Sequence, residues 1–137
     1  MIVTTTSNLD EIRIKEYLQP ISAHVVVGMN LFKDFLAGLT DTFGGKSSTY
    51  EKTLESINEE VIYKLEKKAL AIGANCILGL KIDNSEVSAQ GKSMLMVTAV
   101  GTAAVADINE DLSKSIRHNK NVATNNDDLT ESLFKDD

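Results

Sequence analysis

The side chains with the widest chemical range in this sequence are few and soft. Cys76 is the only cysteine, His24 and His118 are the only histidines, and Met94 and Met96 stand two apart. Thiolate, thioether and imidazole are ligands for soft metals. That makes Cys76, Met94, Met96 and His24 the candidate metal ligands. None sits in a local pair of the CxxC or HxxxH kind, and a structural zinc needs about four ligands. Residues two apart on a strand share a face, so Met94 and Met96 could offer two thioethers to one ion. The same spacing suits two core-filling side chains. In a symmetric assembly of identical subunits one ligand per chain is enough, so a metal or small-ligand site between subunits stays open. The residues specify no cofactor.

Nucleophilic chemistry needs a base within reach of the nucleophile, and nothing in the spacing of Cys76 and His24 brings them together. His24 lies in a β-branched run, Ala23-His24-Val25-Val26-Val27, which suits a packed, hydrogen-bonded histidine. The adjacent carboxylates Glu59 and Glu60 belong to the polar face of a helical pattern. With no catalytic constellation, the reading is a non-enzymatic protein. An enzyme using Cys76 or His24 is the weaker alternative.

A third candidate is the run Gly44-Gly45-Lys46-Ser47-Ser48. It resembles the end of a phosphate-binding loop, GxxxxGK[ST], but Thr40 stands where the first glycine belongs, and a helical pattern precedes it instead of a strand. What remains is an anion-binding candidate at a helix N-terminus. The simpler account is that two glycines end one helix and Ser48 caps the next.

Several elements must position these groups. The 137 residues are 42% hydrophobic and 25% charged, enough for one globular domain with a core of Val, Ile, Leu, Ala and Met. Ile2 to Thr6 suits a strand, followed by a turn at Ser7-Asn8. Ile12, Ile14 and Tyr17 suggest an extended segment that Pro20 marks as an edge or a bulge, and the strand resumes at Ala23. From Asn30, Leu31, Phe32, Phe35, Leu36, Leu39 and Phe43 recur at helical spacing. A second helix follows a capping box of Ser48 and Glu51. Its apolar face is Leu54, Ile57, Val61, Leu65, Ala69 and Ile72, and Gly73 stops it. Two strands close the domain, Cys76 to Ile82 and Met94 to Val105, with residues 83–92 as a polar hairpin link. Gly79 and Gly101 inside them imply bends or close backbone packing. The expected fold is α+β, a small, mainly antiparallel sheet with two helices on one face.

This pattern occupies residues 1–107. Residues 108–137 form an acidic, Asn-rich extension expected to be largely disordered. Within it Leu129, Leu133 and Phe134 lie among carboxylates, a segment able to fold onto a protein partner. The net charge of −6 argues against nucleic acid and against a polybasic membrane contact. No apolar run approaches the length of a membrane span, the N-terminus does not read as a signal peptide, and a lone thiol fits a reducing compartment. The expected location is cytoplasmic.

The segments Gly28-Met29-Asn30-Leu31-Phe32-Lys33-Asp34-Phe35-Leu36-Ala37-Gly38, Gly44-Gly45-Lys46-Ser47 and Tyr50-Glu51-Lys52 resemble the YbjQ-like family. So do Gly73-Ala74-Asn75, Gly79-Leu80-Lys81-Ile82-Asp83 and Ser93-Met94-Leu95-Met96-Val97. The resemblance covers nearly all of the first part and none of the extension. It implies a small α+β subunit that assembles into a ring, typically a homopentamer, in a family often described as heavy-metal-binding and without a general reaction. The aromatic-rich first helix pattern carries more apolar surface than a two-helix layer requires. With the resemblance, this points to Phe32, Phe35, Leu36 and Leu39 as subunit contacts, core packing being the alternative.

Overall fold

The computed structural model describes residues 1–28 and 46–109, with the backbone alone for 46–50. The chain divides into two units, Met1–Ala106 and Asp107–Asp137, and the fold described is that of the first. Among the described residues its elements are β1 (Ile2–Val3), β2 (Ile14–Gly28), α1 (Lys46–Ala71), β3 (Cys76–Ala89) and β4 (Lys92–Ala106). They form one α+β layer pair. The four-stranded sheet has the order β1-β3-β4-β2. It is mixed: β4 pairs antiparallel with both β2 and β3, while β1 pairs parallel with β3.

The helix forms where the apolar spacing places it. Ile57, Val61, Leu65 and Ala69 are buried, the last three completely. Burying a side chain of the size of Val61 or Leu65 contributes about 1.5–3 kcal/mol relative to leaving it in water. Against them stand Ile21, Ala23 and Val25 of β2, Ile77 of β3, and Val97, Ala99 and Ala103 of β4. Ile72 lies past the end of α1 and is 40% exposed, so it leaves the stripe. Gly73 stops the helix as expected, with φ +83°. The Ala74 N–H donates to Ala69 O at 3.0 Å and the Gly73 N–H to Leu70 O at 3.0 Å. That pair of bonds is the Schellman closure, which satisfies carbonyls the helix end would leave orphaned.

Four expectations are corrected. α1 begins at Lys46, so Ser48 falls inside its first turn instead of capping it; serine is a tolerable helix residue and does not block extension toward the N-terminus. Ile12 sits in a bend before β2. The N-terminal strand is only two residues long, and its pairing is parallel. Residues 83–92 are not a link: β3 and β4 stay paired out to Ala89↔Lys92, and the turn is Gln90-Gly91 alone. Both turn residues have positive φ, +52° and +73°, the conformation that matches the strands' own twist. The ribbon reads as polar because Asp83, Asn84, Glu86 and Ser88 are all exposed, so no apolar alternation marks it. The expected first helix over residues 30–43 lies outside the described residues, as does the extension beyond Asn109.

The two strand glycines act differently. β3 carries a bulge between Leu78 and Lys81, with Gly79 at φ +62°, a backbone that glycine adopts without steric cost. Gly101 is the residue opposite that bulge. A Cβ there would stand 2.6 Å from Ile77 Cγ2, so β4 and Ile77 pack together only because the side chain is absent.

Pro20 lies in β2, which is a sheet edge among the described residues, consistent with its missing N–H. At the other end of β3, Asn75 clamps the sheet. Its amide donates to Ala106 O at 2.9 Å, and the Ala106 N–H donates back to its Oδ1 at 2.7 Å.

Candidate functional site

Strand alternation sorts the candidate residues onto faces. On β4 the odd positions Val97, Ala99 and Ala103 belong to the core under α1. The even positions therefore occupy the opposite face. Register carries the same sorting to β2, where His24 lies opposite Thr98, Val26 opposite Met96 and Gly28 opposite Met94. On β3, Asp83 lies opposite Thr98, Ser85 opposite Met96 and Val87 opposite Met94. His24, Met94 and Met96 are thus together on the face that α1 does not cover.

That face changes character along its length. Toward Ala106 it holds Cys76, Leu78, Ala104 and Ala106, all buried. Toward the hairpin it is open: Val26 is 57% exposed, Val87 41% and Val100 39%, with Met94 and Met96 half-buried among them. His24 is exposed, and its Nδ1 and Thr98 Oγ1 lie 3.0 Å apart. The hydroxyl fixes the ring across the strand pair and leaves Nε2 uncommitted among the described residues. Met96 is the diagonal neighbour of His24, a relation that puts Cα atoms about 7–8 Å apart. Long side chains meet across such a gap.

Cys76 does not join them. It pairs with Ala104, which on β4 is eight positions from Met96, or about 26 Å of strand. From His24 the offset is six positions, or about 20 Å. That separation excludes a Cys76–His24 dyad within one chain. The Cys76 thiol is moreover fully buried. Burial pushes its pKa up, with a weaker opposing pull from the N-terminal ammonium, so at neutral pH it holds its proton and is a poor nucleophile.

Among the described residues no three His, Cys, Asp or Glu side chains converge as a metal-holding group. The thioethers and imidazole of the open face fit a different class of ion. Neutral sulfur with one imidazole nitrogen suits soft, low-coordinate cations and not zinc, which favours about four ligands.

Of the anion-binding candidates, Gly44 and Gly45 lie outside the described residues, and Lys46, Ser47 and Ser48 contribute backbone to the first turn of α1. The interface candidates Phe32, Phe35, Leu36 and Leu39 also lie outside the described residues. The open face itself was not anticipated. The signal for it was the pairing of Val26 with Met96, which only the register supplies. A shallow hollow of about 400 Å³ opens between Pro20, Ile21 and Ser22 of β2 and Lys68, Ala71 and Ile72. Lys68 Nζ closes part of it by donating to Ser22 O at 2.7 Å. No helix among the described residues is long and apolar enough to cross a membrane.

Comparison with known proteins agrees with this fold. A "UPF0145 protein" of Acetivibrio thermocellus is 45% identical over 107 residues, covering 78% of this chain and 100% of the relative. One from Pasteurella multocida is 37% identical over 105 residues, covering 77% of this chain and 98% of its own. A crystal structure from Pediococcus pentosaceus, a protein with unknown function of the DUF74 family, superposes with a TM-score of 0.52 at 22% identity. It covers 78% of this chain and 98% of that one, and supports the fold alone. The family model described as "Putative heavy-metal-binding" matches residues 1–107. The chain therefore belongs to the YbjQ-like family, whose model covers residues 1–107.

Proposed function

We propose that this protein is a non-enzymatic, self-associating binding subunit. Its copies form a ring, typically of five, and present the open sheet face as a binding surface or pore lining. The observation that carries this reading is that face. Among the described residues one helix covers one side of the sheet, while Val26, Val87 and Val100 remain substantially in water around Met94 and Met96. Apolar side chains gathered on one face mark an interaction site more often than scattered ones do.

Two strand edges support a second copy as the partner. Among the described residues β2 has one unpaired edge, and β3 has another beyond Leu80. Different surfaces on the two sides of a subunit make head-to-tail contacts, and these close into rings when the rotation allows. The separation of Cys76 from His24 supports binding over bond-making chemistry. The lone buried thiol fits a cytoplasmic setting, and the acidic extension is the segment offered to a protein partner.

The test is sedimentation velocity on the wild type and on Val26→Asp. The wild type is expected to sediment as a multiple of one chain at micromolar concentration. Val26→Asp puts a charge on β2, the edge strand at the proposed contact, and is expected to fall toward one chain while keeping its secondary structure, since position 26 is already exposed within the subunit. A wild type that sediments as a single chain contradicts the reading.

The second reading is a small-ligand or heavy-metal-binding module with sites between subunits. What favours it is that His24 and the two methionines share the open face. Elemental analysis of purified protein, with thermal melts against added metals, separates it from the first. No bound metal and no melting shift count against it.

A further inference from the structure

We infer that His24 and Met96, assisted by Met94, form a binding site for a soft monovalent cation of the Cu(I)/Ag(I) class on the open face of the sheet. The inference rests on the reading of that face as the binding surface, and narrows it to particular atoms and one class of ion.

The placement comes from the backbone. His24 lies opposite Thr98, so along β4 it is level with a position two residues from Met96, on the same face. Met94 is two residues further, beside Gly28. Met96 thus stands midway, with the imidazole on one side and a second thioether on the other. His24 and Met94 are about 13 Å apart along the strand. The primary pair is therefore His24 with Met96, and Met94 reaches the ion only by leaning toward it. Gly28 leaves room for that movement: even a Cβ built there meets no atom within 4 Å.

The histidine is prepared for the role. Nδ1 lies 3.0 Å from the Thr98 hydroxyl, and the atom engaged by such a bond determines which nitrogen can bind metal. Thr98 leaves Nε2 as the ligand, in the manner of the outer-shell partners that orient metal-binding histidines. Thr98 is a positioning residue, since it touches the imidazole and not the ion.

The chemistry selects the ion. A thioether is a neutral, polarizable donor that prefers Cu(I) and its relatives over hard or borderline divalent ions. Two or three such ligands suit a low-coordinate monovalent cation and leave zinc short of its four. Asp83, opposite Thr98 on β3, places a carboxylate on the same face. Cys76 takes no part, because it is buried and about 26 Å along the sheet from Met96.

The test is titration of the full-length chain with Ag(I), followed by native mass spectrometry and by the methionine methyl and histidine ring resonances in NMR. One Ag(I) per chain is expected, with shifts at Met96 and His24 and smaller ones at Met94. Met96→Leu, which conserves volume and keeps the fold, and His24→Gln are each expected to weaken binding about tenfold or more. Thr98→Val is expected to weaken it about tenfold, while also releasing the His24 ring resonance in the metal-free protein. Cys76→Ala is expected to bind as the wild type does. Retained binding in Met96→Leu together with loss in Cys76→Ala overturns the proposal, as does an absence of any bound Ag(I). The same spectra give the subunit number, so a monomer that binds Ag(I) refutes self-association alone, and a ring that does not bind refutes this site alone.

Discussion

Replacing Gly101 by alanine puts a methyl group where the structure has no room for one. The new Cβ would stand 2.6 Å from Ile77 Cγ2 and 3.3 Å from the Leu78 carbonyl oxygen, with Leu65 Cδ2 at an ordinary 3.8 Å. Carbon atoms pack at about 3.5–4.0 Å, so roughly 1 Å of overlap must be relieved. Ile77 is fully buried and stiff at χ1 because it is β-branched. The second contact is backbone, held in the β3–β4 ladder. Overpacking of this kind costs about 1–3 kcal/mol, and the rigid neighbours place it in the upper half of that range. Two effects oppose it: burial of one methyl, about 0.8 kcal/mol, and the lower entropy of the unfolded chain, about 0.4–1 kcal/mol. The net expectation is a loss of about 1 kcal/mol.

Urea unfolding followed by circular dichroism measures this loss, at matched protein concentrations because self-association adds to apparent stability. The decisive arm is a double-mutant cycle. Ile77→Ala alone creates a cavity and costs about 2–5 kcal/mol. It also removes Cγ2, the atom the new methyl strikes. The double variant is therefore expected to be more stable than the sum of the singles by about 1–2 kcal/mol. An unchanged midpoint for Gly101→Ala, or strict additivity in the cycle, refutes the packing argument.

Gly79 is expected to fail by a different mechanism. Its Cβ would meet open space, but φ is +62°, so Gly79→Ala costs about 1–2 kcal/mol, and Gly79→Asn costs less because asparagine tolerates that region. Equal losses in urea melts would contradict the bulge assignment. Cys76 is expected to resist thiol reagents in the native protein and to react on unfolding. Because burial raises its folded pKa, both states are protonated below the ordinary value of about 8.5. Above it the unfolded chain loses a proton that the folded one keeps, so stability falls as pH rises. A midpoint drop between pH 7.5 and 9.5 that is as large in Cys76→Ala as in the wild type contradicts this. Val61→Asp buries an unpaired charge under α1 and is expected to abolish the native circular dichroism signal. A folded Val61→Asp contradicts the core described here.

The parts of the fold legible in the sequence are those where one physical signal dominates. The stripe Ile57, Val61, Leu65 and Ala69 is readable because only one face of α1 meets the sheet, and Gly73 because a left-handed stop favours glycine. The strand glycines were legible as exceptions, though not which one was a bulge and which a close contact. The ribbon of residues 83–93 was not legible. Its β3 strand is largely wet on both faces, so no alternation separates strand from loop. The parallel pairing of β1 was hidden because two residues carry no periodicity. The site was half legible. Met94 and Met96 share a face by spacing alone. That His24 joins them depends on a pairing across 74 residues of sequence, and that Cys76 does not depends on the position of Ala104 along β4. Both are matters of register, which local sequence does not encode.

The central claim is that the open sheet face serves binding between and by identical subunits. Native mass spectrometry of the full-length chain at micromolar concentration tests it most directly. The account predicts a single closed assembly of several 14.9 kDa chains, five by the family resemblance. A spectrum containing only the 14.9 kDa chain would contradict it.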